Sequence, residues 1–151
     1  MEKIAVLGAG SWGTALAIIL GKKGYPVSLW ARDASAVSAL NSERENVKYL
    51  KGCTLPDTIT ATHDLKKSLE GVRVVVFAVP SHAVREVARS VSPYIAPDMY
   101  IVNTAKGFEL ETLKYLSTTI EEELMPEVHD HIVVLSGPSH AEEVGQGMPT
   151  A

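Results

Sequence analysis

Lys3-Ile4-Ala5-Val6-Leu7-Gly8-Ala9-Gly10-Ser11-Trp12-Gly13-Thr14-Ala15-Leu16-Ala17-Ile18-Ile19-Leu20 is the stretch around which the chain is organised. Ile4 to Leu7 is a short continuous apolar run, the pattern of a strand buried on both faces. From Thr14 to Leu20 nearly every residue is apolar, and the segment is rich in Ala and Leu, so it reads as a helix lying closely on a sheet. Three glycines mark the turn between strand and helix. Gly8 allows the tight turn, Gly10 has no side chain to keep a pyrophosphate from the backbone, and Gly13 lets helix and strand approach. The N–H groups that open such a helix, together with its dipole, form a site for a phosphate anion.

A glycine motif alone is weak, because compact turns use glycine without binding anything. Its surroundings decide. The motif follows the first strand, opens a helix and, after the Gly24-Tyr25-Pro26 break, leads to a second strand, Val27 to Trp30. That is the βαβ unit a dinucleotide fingerprint requires. The expected fold is therefore α/β, a Rossmann-type doubly wound and mainly parallel sheet with helices on both faces.

At 151 residues the chain fits one domain, residues 1–151. A formal net charge of −4 and a pI near 5.7 give no reason to expect nucleic acid or an anionic membrane as partner. The single cysteine, Cys53, excludes an internal disulfide and suits a reducing compartment. No apolar stretch reaches the about 18 residues needed to span a bilayer, and no secretory leader is recognisable, so a soluble cytoplasmic protein without membrane insertion is expected.

Beyond the second strand, Asp33 or Ser35 is expected to cap a surface helix from Ala34 to Arg44. About 20 residues after the glycine motif an acidic residue normally meets the adenosine ribose, and here Arg32 stands there. A guanidinium pairs with the 2′-phosphate of NADP, whereas a carboxylate repels it, so NADP is favoured over NAD. In the other reading Arg32 is solvated and Asp33 binds the ribose of NAD. Residues 46–57 show neither helical nor strand period and read as a loop, with Tyr49 near the cofactor or simply packed within it.

Ile59 to Thr62 reads as a strand, and Leu65 to Leu69 as a brief helix ended by Gly71. Val72 to Val79, the most apolar segment, is expected to be a central strand. Ser81 is expected to cap the next helix, which buries Val84, Val87, Ala88 and Val91, and His82 to face solvent in its first turn. After a strand from Met99 to Asn103, Lys106 sits just past the strand's C-terminal end, where ligand crevices lie in open α/β sheets. Flanked by Asn103, Thr104 and Gly107, it is a candidate to meet a substrate anion or a developing oxyanion.

Thr112 to Leu124 reads as an amphipathic helix whose Glu121-Glu122-Glu123 run is a solvated face. Ile132 to Leu135 is the sixth strand. It leads into Ser136-Gly137-Pro138-Ser139-His140-Ala141-Glu142-Glu143-Val144, where Gly137 permits backbone approach and Ser139 with Glu142 forms a capping box. His129, His131 and His140 lack the spacing of a metal site, so no metal is expected.

Three motifs now stand in order: Gly8-Ala9-Gly10-Ser11-Trp12-Gly13-Thr14-Ala15, Asn103-Thr104-Ala105-Lys106-Gly107, and Ser136 to Val144. Together they closely resemble the bacterial-type NAD(P)-dependent glycerol-3-phosphate dehydrogenases, over the whole chain. The resemblance implies hydride transfer between NAD(P)H and dihydroxyacetone phosphate to give sn-glycerol 3-phosphate for phospholipid synthesis. It implies that Ser11, Trp12, Arg32 and Ala141 contact the cofactor alongside the glycine turn. Lys106, Gly137 and Ser139 are implied to contact substrate, Lys106 also lying near the cofactor and acting as the catalytic residue that orients substrate.

Family members continue into a second, largely helical domain that supplies the general acid/base lysine and most substrate contacts. On this reading the 151 residues are the cofactor-binding part, inactive alone, of a longer protein that can form a homodimer. The alternatives are a related β-hydroxyacid dehydrogenase, a non-catalytic dinucleotide-sensing module with no need of Lys106, and a methyltransferase, in which Arg32 would stand where a ribose-binding acid is wanted.

Overall fold

The computed structural model describes residues 1–150; Ala151, the last residue of the expected domain, lies outside the described residues. In chain order the elements are β1 (Lys3–Leu7), α1 (Ser11–Lys22), β2 (Val27–Trp30), α2 (Ala34–Glu43), β3 (Glu45–Asn46), β4 (Leu50–Thr54) and β5 (Ile59–Thr62). Then come α3 (Leu65–Leu69), β6 (Val72–Phe77), α4 (Val84–Val91), β7 (Tyr100–Asn103), α5 (Leu116–Glu123), β8 (Ile132–Val134) and α6 (Ala141–Gly145).

The main sheet runs β5-β2-β1-β6-β7-β8, and every neighbouring pair in it is parallel. Its direction of growth reverses between β1 and β6, the switch point at which a crevice opens beyond the carboxyl ends of the strands. The register keeps those ends level: Thr62 lies beside Trp30, Trp30 beside Leu7, Leu7 beside Phe77, Phe77 beside Asn103 and Asn103 beside Val134. The segments that follow these residues therefore all emerge along one edge.

The apolar run of β1 divides between two cores because successive side chains of a strand point to opposite faces. Ala5 and Leu7 join Val75, Phe77 and Ile101 beneath α4 and α5. Ile4 and Val6 join Val27, Leu29, Ala15 and Ile18 beneath α1, with Ala141 and Val144 of α6 closing that side. The helical spacing read for α4 holds, since Val84, Val87, Ala88 and Val91 are its buried residues. Asp33 is the residue that caps α2: Ser35 N and Ser35 Oγ donate to its two carboxylate oxygens at 2.9 and 2.8 Å.

Several elements differ from the sequence reading. Residues 46–57 are not a loop, because β3 and β4 pair antiparallel as a short hairpin with an irregular register. Its order comes from polar contacts together with buried Leu50, Cys53 and Leu55, whose spacing makes no strand or helix period. Buried Asn46 donates to Ala9 O at 2.9 Å and to Thr14 Oγ1 at 2.8 Å, and its own Oδ1 accepts from Tyr49 N at 3.2 Å. The Arg44 guanidinium donates to the carbonyls of Leu55, Pro56 and Ile59. Helix α1 starts at Ser11 rather than Thr14, with Thr14 N bonded to Gly10 O at 3.0 Å.

Ser81 does not cap α4; it opens a 3₁₀ turn, Ser81–Ala83, ahead of the helix, with no side-chain cap. The box expected of Ser139 and Glu142 does not form either, since α6 begins at Ala141 with His140 in the N-cap position and no side-chain cap. Helix α5 begins at Leu116, not Thr112. Residues 109–115 make a tight turn instead, closed by Glu109 N to Lys114 O at 3.0 Å and a bridge between Phe108 and Tyr115.

Nor are Glu122 and Glu123 a merely solvated face. Arg85 on α4 reaches Glu109 Oε1 at 2.5 Å, Glu122 Oε2 at 2.8 Å and Glu123 Oε1 at 2.8 Å. Arg89 adds a bond to Glu123 at 3.0 Å, and Lys114 pairs with Glu122. One guanidinium thus fastens the turn after β7 to the pair of helices beneath it, the fork geometry letting arginine serve several carboxylates.

Arg85, then the Thr112 hydroxyl, holds the Glu109 carboxyl down at about 2, against an ordinary 4.5. A depressed carboxylate stabilises the fold above its unfolded pKa and loses that contribution as pH falls towards the folded value. Melting temperatures of the chain and of Glu109→Gln, followed from pH 7 to pH 2, are expected to differ most at neutral pH. The gap closes between about 4.5 and about 2. A gap that stays constant over that window would show that the ionised carboxylate is not what Arg85 holds.

Candidate dinucleotide site

A cleft of about 1220 Å³ lies along the level strand ends and takes in the glycine turn, the β3–β4 hairpin and the segments after β2, β6, β7 and β8. That exceeds the about 300–1,000 Å³ of most small-molecule sites and suits an extended ligand.

At the glycine turn, each of the three positions is glycine for its own reason. Gly8 has φ +116°, and a Cβ there would stand 2.6 Å from Ala78 O. A Cβ on Gly13 would stand 1.9 Å from Gly8 O, an overlap with backbone that no rotamer relieves. A Cβ on Gly10 would meet nothing within 4 Å, because it would project into the open cleft. Crowding thus explains two of the glycines and does not explain Gly10, which serves as N-cap and leaves the cleft open beside it.

Helix α1 begins here with Gly10 as N-cap, no capping side chain and no acidic residue in its first turn. Its opening amides and dipole therefore present positive potential that no acidic residue of the helix's own first turn offsets. The Trp12 indole Nε1 is buried without a hydrogen-bond partner among the described residues. An orphaned buried donor costs roughly 1–3 kcal/mol. A turn that holds open space at Gly10 and an unspent donor beside it fits a dinucleotide diphosphate.

At the far side of the turn, Arg32 follows β2 and its Nη2 lies 3.4 Å from Glu86 Oε1 on α4. Both side chains are about two-thirds exposed, 65% and 67%, so the pair is worth at most about 1 kcal/mol and opens easily. Asp33 beside it is committed to its cap, and the Ser35 hydroxyl, then the Ser35 amide, lower its carboxyl below the usual range. Lys48 and Tyr49 at the hairpin tip line the same part of the cleft, with Lys48 Nζ 5.0 Å from the Tyr49 ring centroid.

Towards β7 and β8 the backbone around Lys106 is set by polar residues. Thr104 N and Oγ1 both donate to Phe77 O, at 2.9 and 2.8 Å, and Asn103 Oδ1 accepts from Ala105 N at 3.1 Å. Lys106 then extends its exposed ammonium across to Gly137 O at 2.9 Å, joining the turns after β7 and β8. Ser139 and Ala141 line the cleft beside it, and Gly137 meets it through the bond to Lys106. His82 is exposed at the rim, as its place in a first turn suggested.

The histidines do not converge. His129 Nε2 lies 3.2 Å from Leu124 O, and His131 stacks on Tyr100 with Nδ1 3.2 Å from Met99 O, at the opposite edge of the sheet from His140. Among the described residues no group of three metal-ligating side chains comes together. Of the residues that strand-end position singles out in the sequence, Arg32, Lys106 and Ser139 line the cleft. Strand-end position misses Asn46, Lys48 and Glu86, which reach the cleft from a hairpin without period and from a helix whose own pattern reports only its buried side.

A family model described as NAD-dependent glycerol-3-phosphate dehydrogenase N-terminus matches residues 3–151. A curated protein of Moorella thermoacetica named glycerol-3-phosphate dehydrogenase (NAD(P)+) is 54% identical over 149 residues, 99% of this chain and 43% of that one. Its namesake in Carboxydothermus hydrogenoformans is 47% identical over 149 residues, 99% of this chain and 44% of the relative. The crystal structure of glycerol-3-phosphate dehydrogenase from Coxiella burnetii superposes with a TM-score of 0.89 at 38% identity, covering 99% of this chain and 45% of that one. The chain spans less than half the length of the relatives it matches.

The different surroundings of Gly10 and Gly13 separate binding from folding. Gly13→Ala is expected to lower stability by roughly 3 kcal/mol or more in urea titration, since backbone must move. Gly10→Ala is expected to cost no more than about 1 kcal/mol, the loss of a good N-cap residue. It should nevertheless weaken NADPH on the order of ten-fold in calorimetry, about 1.4 kcal/mol. Unchanged NADPH affinity in a folded Gly10→Ala variant would mean that nothing approaches the turn there.

Proposed function

The chain belongs to the family of NAD-dependent glycerol-3-phosphate dehydrogenase N-termini, and from that membership we propose that it is the cofactor-binding part of an enzyme interconverting dihydroxyacetone phosphate and sn-glycerol 3-phosphate. Gly8, Gly10, Ser11, Trp12 and Gly13 receive the diphosphate, Arg32 the adenosine ribose end with preference for NADP over NAD, and Ala141 the side of the cofactor nearest α6. Lys106, Gly137 and Ser139 receive the substrate. The observation that carries the reading is the bond from Lys106 Nζ to Gly137 O at 2.9 Å, which holds a cation over the same row of strand ends as the glycine turn.

The chemistry that NAD(P)H supplies, once held, is hydride delivery to the carbonyl carbon of the substrate. The residues beside the substrate's carbonyl oxygen would have to stabilise the negative charge that such delivery leaves there. The Lys106 ammonium has three N–H donors and spends one on Gly137 O, so others remain for that oxygen. The preset backbone of Thr104 and Ala105 limits how far the ammonium can wander, which is what orientation of a small substrate requires.

A second domain completes the site in this proposal and supplies the proton donor. In support, β8 is an edge of the sheet, and Val133 and Val134 within it and Leu135 just after it are 49%, 58% and 50% exposed. Exposed apolar side chains at a sheet edge are what a contact with a further domain would cover. A cytoplasmic setting agrees with Cys53 as a reduced, buried thiol. No helix among the described residues is long and apolar enough to cross a membrane.

Arg32→Ala is expected to weaken NADPH by about 1.5 kcal/mol, the low end for a charge-assisted bond because the side chain is exposed, and NADH by much less. Equal losses for the two would remove Arg32 from the 2′-phosphate. The 151 residues alone are expected to bind NADPH in calorimetry yet show no steady-state oxidation of it with dihydroxyacetone phosphate. Clear turnover would mean that no second domain is needed.

A further inference from the structure

We propose that Glu86 is the residue that serves the ribose 2′-hydroxyl of NAD(H) in this cleft and, by the same charge, restrains the affinity for NADP(H). This rests on the cofactor reading above. In that reading Arg32 alone would make a strongly NADP-selective site, because a phosphate monoester carries roughly −1.5 to −2 charges near neutral pH and pairs bidentately with a guanidinium. Arg32 does not stand alone, since Glu86 Oε1 lies 3.4 Å from its Nη2. Whatever Arg32 grips is therefore also beside a carboxylate.

Elimination among the acidic residues of the cleft points to Glu86. Among the described residues five acidic side chains line it: Asp33, Glu43, Glu45, Glu86 and Glu142. Both oxygens of Asp33 accept from Ser35, so the residue next to Arg32 in sequence is spent on capping α2. Glu45 Oε1 accepts from Gly52 N at 2.7 Å in the hairpin. Glu43 closes α2, whose ten residues carry it on the order of 13 Å along the axis from the end near Arg32. Glu142 belongs to α6, beside Ser139 and across the glycine turn from β2.

That leaves Glu86 on the first turn of α4, beyond β6 and across the switch point from β2. The neighbouring cations of α4 do not compete for it. Arg85 is taken by Glu109, Glu122 and Glu123, and Arg89 by Glu123. Exposed as it is, the Glu86 side chain can leave Arg32 and turn to a hydroxyl without breaking any packed contact. The pair thus offers a donor for a phosphate and an acceptor for a hydroxyl at one spot, a site built to take either dinucleotide.

The test is calorimetric titration of the chain and of Glu86→Gln with NADPH and with NADH, at low and at high salt. Glu86 is exposed, and a thermal melt of the variant checks that the fold is unchanged. In Glu86→Gln, NADPH is expected to bind about two- to five-fold tighter at low salt, the range of an exposed charge pair. That gain should shrink as salt screens the repulsion. NADH is expected to bind about two- to five-fold more weakly, with little salt dependence, because an ionised acceptor for a neutral hydroxyl has been replaced by an amide. The ratio of the two affinities therefore moves by roughly ten-fold. If the chain binds both dinucleotides and Glu86→Gln leaves their ratio unchanged, the role given to Glu86 is wrong while the cofactor reading stands. If the chain binds neither, the cofactor reading falls and this inference with it.

Discussion

The approach of Gly13 to the carbonyl of Gly8 is the contact on which the rest of this molecule depends. Where a Cβ would come within 1.9 Å of a backbone oxygen, the helix lies on the turn with nothing between them. That closeness fixes the axis of α1 against β1, and so aims its uncapped first turn at the end of the sheet. The partial charge at a helix terminus fades within about one turn. An α1 displaced outward by a methyl group would still be a helix, but its amides would no longer sit at the bottom of the crevice.

Why the sheet was legible in the sequence and the hairpin was not follows from where each gets its order. A parallel strand covered on both faces is apolar at nearly every position, so β1, β2, β6 and β7 announce themselves as mainly apolar runs in which Ser28 and Arg73 are the only interior interruptions. The β3–β4 hairpin is fastened by the amide of Asn46 and the guanidinium of Arg44, each bonded to backbone of segments distant in sequence. Such bonds depend on what lies nearby in space. No period within residues 46–57 could report that Ala9 and Thr14 would be waiting there.

The misread ends of helices have a related cause. Ser81 and Ser139 have the residue type of a cap, but type signals only the capacity to accept an amide hydrogen. A 3₁₀ turn takes the first place, and His140 the second. Asp33 caps as read, because the strand before it ends level with its neighbours and leaves the chain one short step to the helix. The Glu122-Glu123 pair looked solvated for want of a visible partner, and Arg85 lies 37 and 38 residues away along the chain. Along the cleft the same division holds: lining residues that follow strand ends are legible in the sequence, and those presented by a helix flank, such as Glu86, are not.

Lys106 shows what that hidden polar scaffolding accomplishes. A lysine has a long, freely rotating side chain, so a cation useful for orienting a small substrate must be restrained from several sides. On the sheet side, Thr104 bonds Phe77 O through both its amide and its hydroxyl, pinning the chain at the point where it leaves β7. Beyond Gly107 the turn is fastened again, by Glu109 to Arg85, and Arg85 is in turn held by two carboxylates of α5. The tip is restrained by Gly137 O. The costly part of this arrangement, a partly buried guanidinium among three carboxylates, is placed under the turn instead of in the cleft. The ion pairs beneath the turn therefore leave the ammonium's remaining donors uncommitted, and a cation tethered yet not neutralised is what the proposed role of Lys106 beside a developing oxyanion would need.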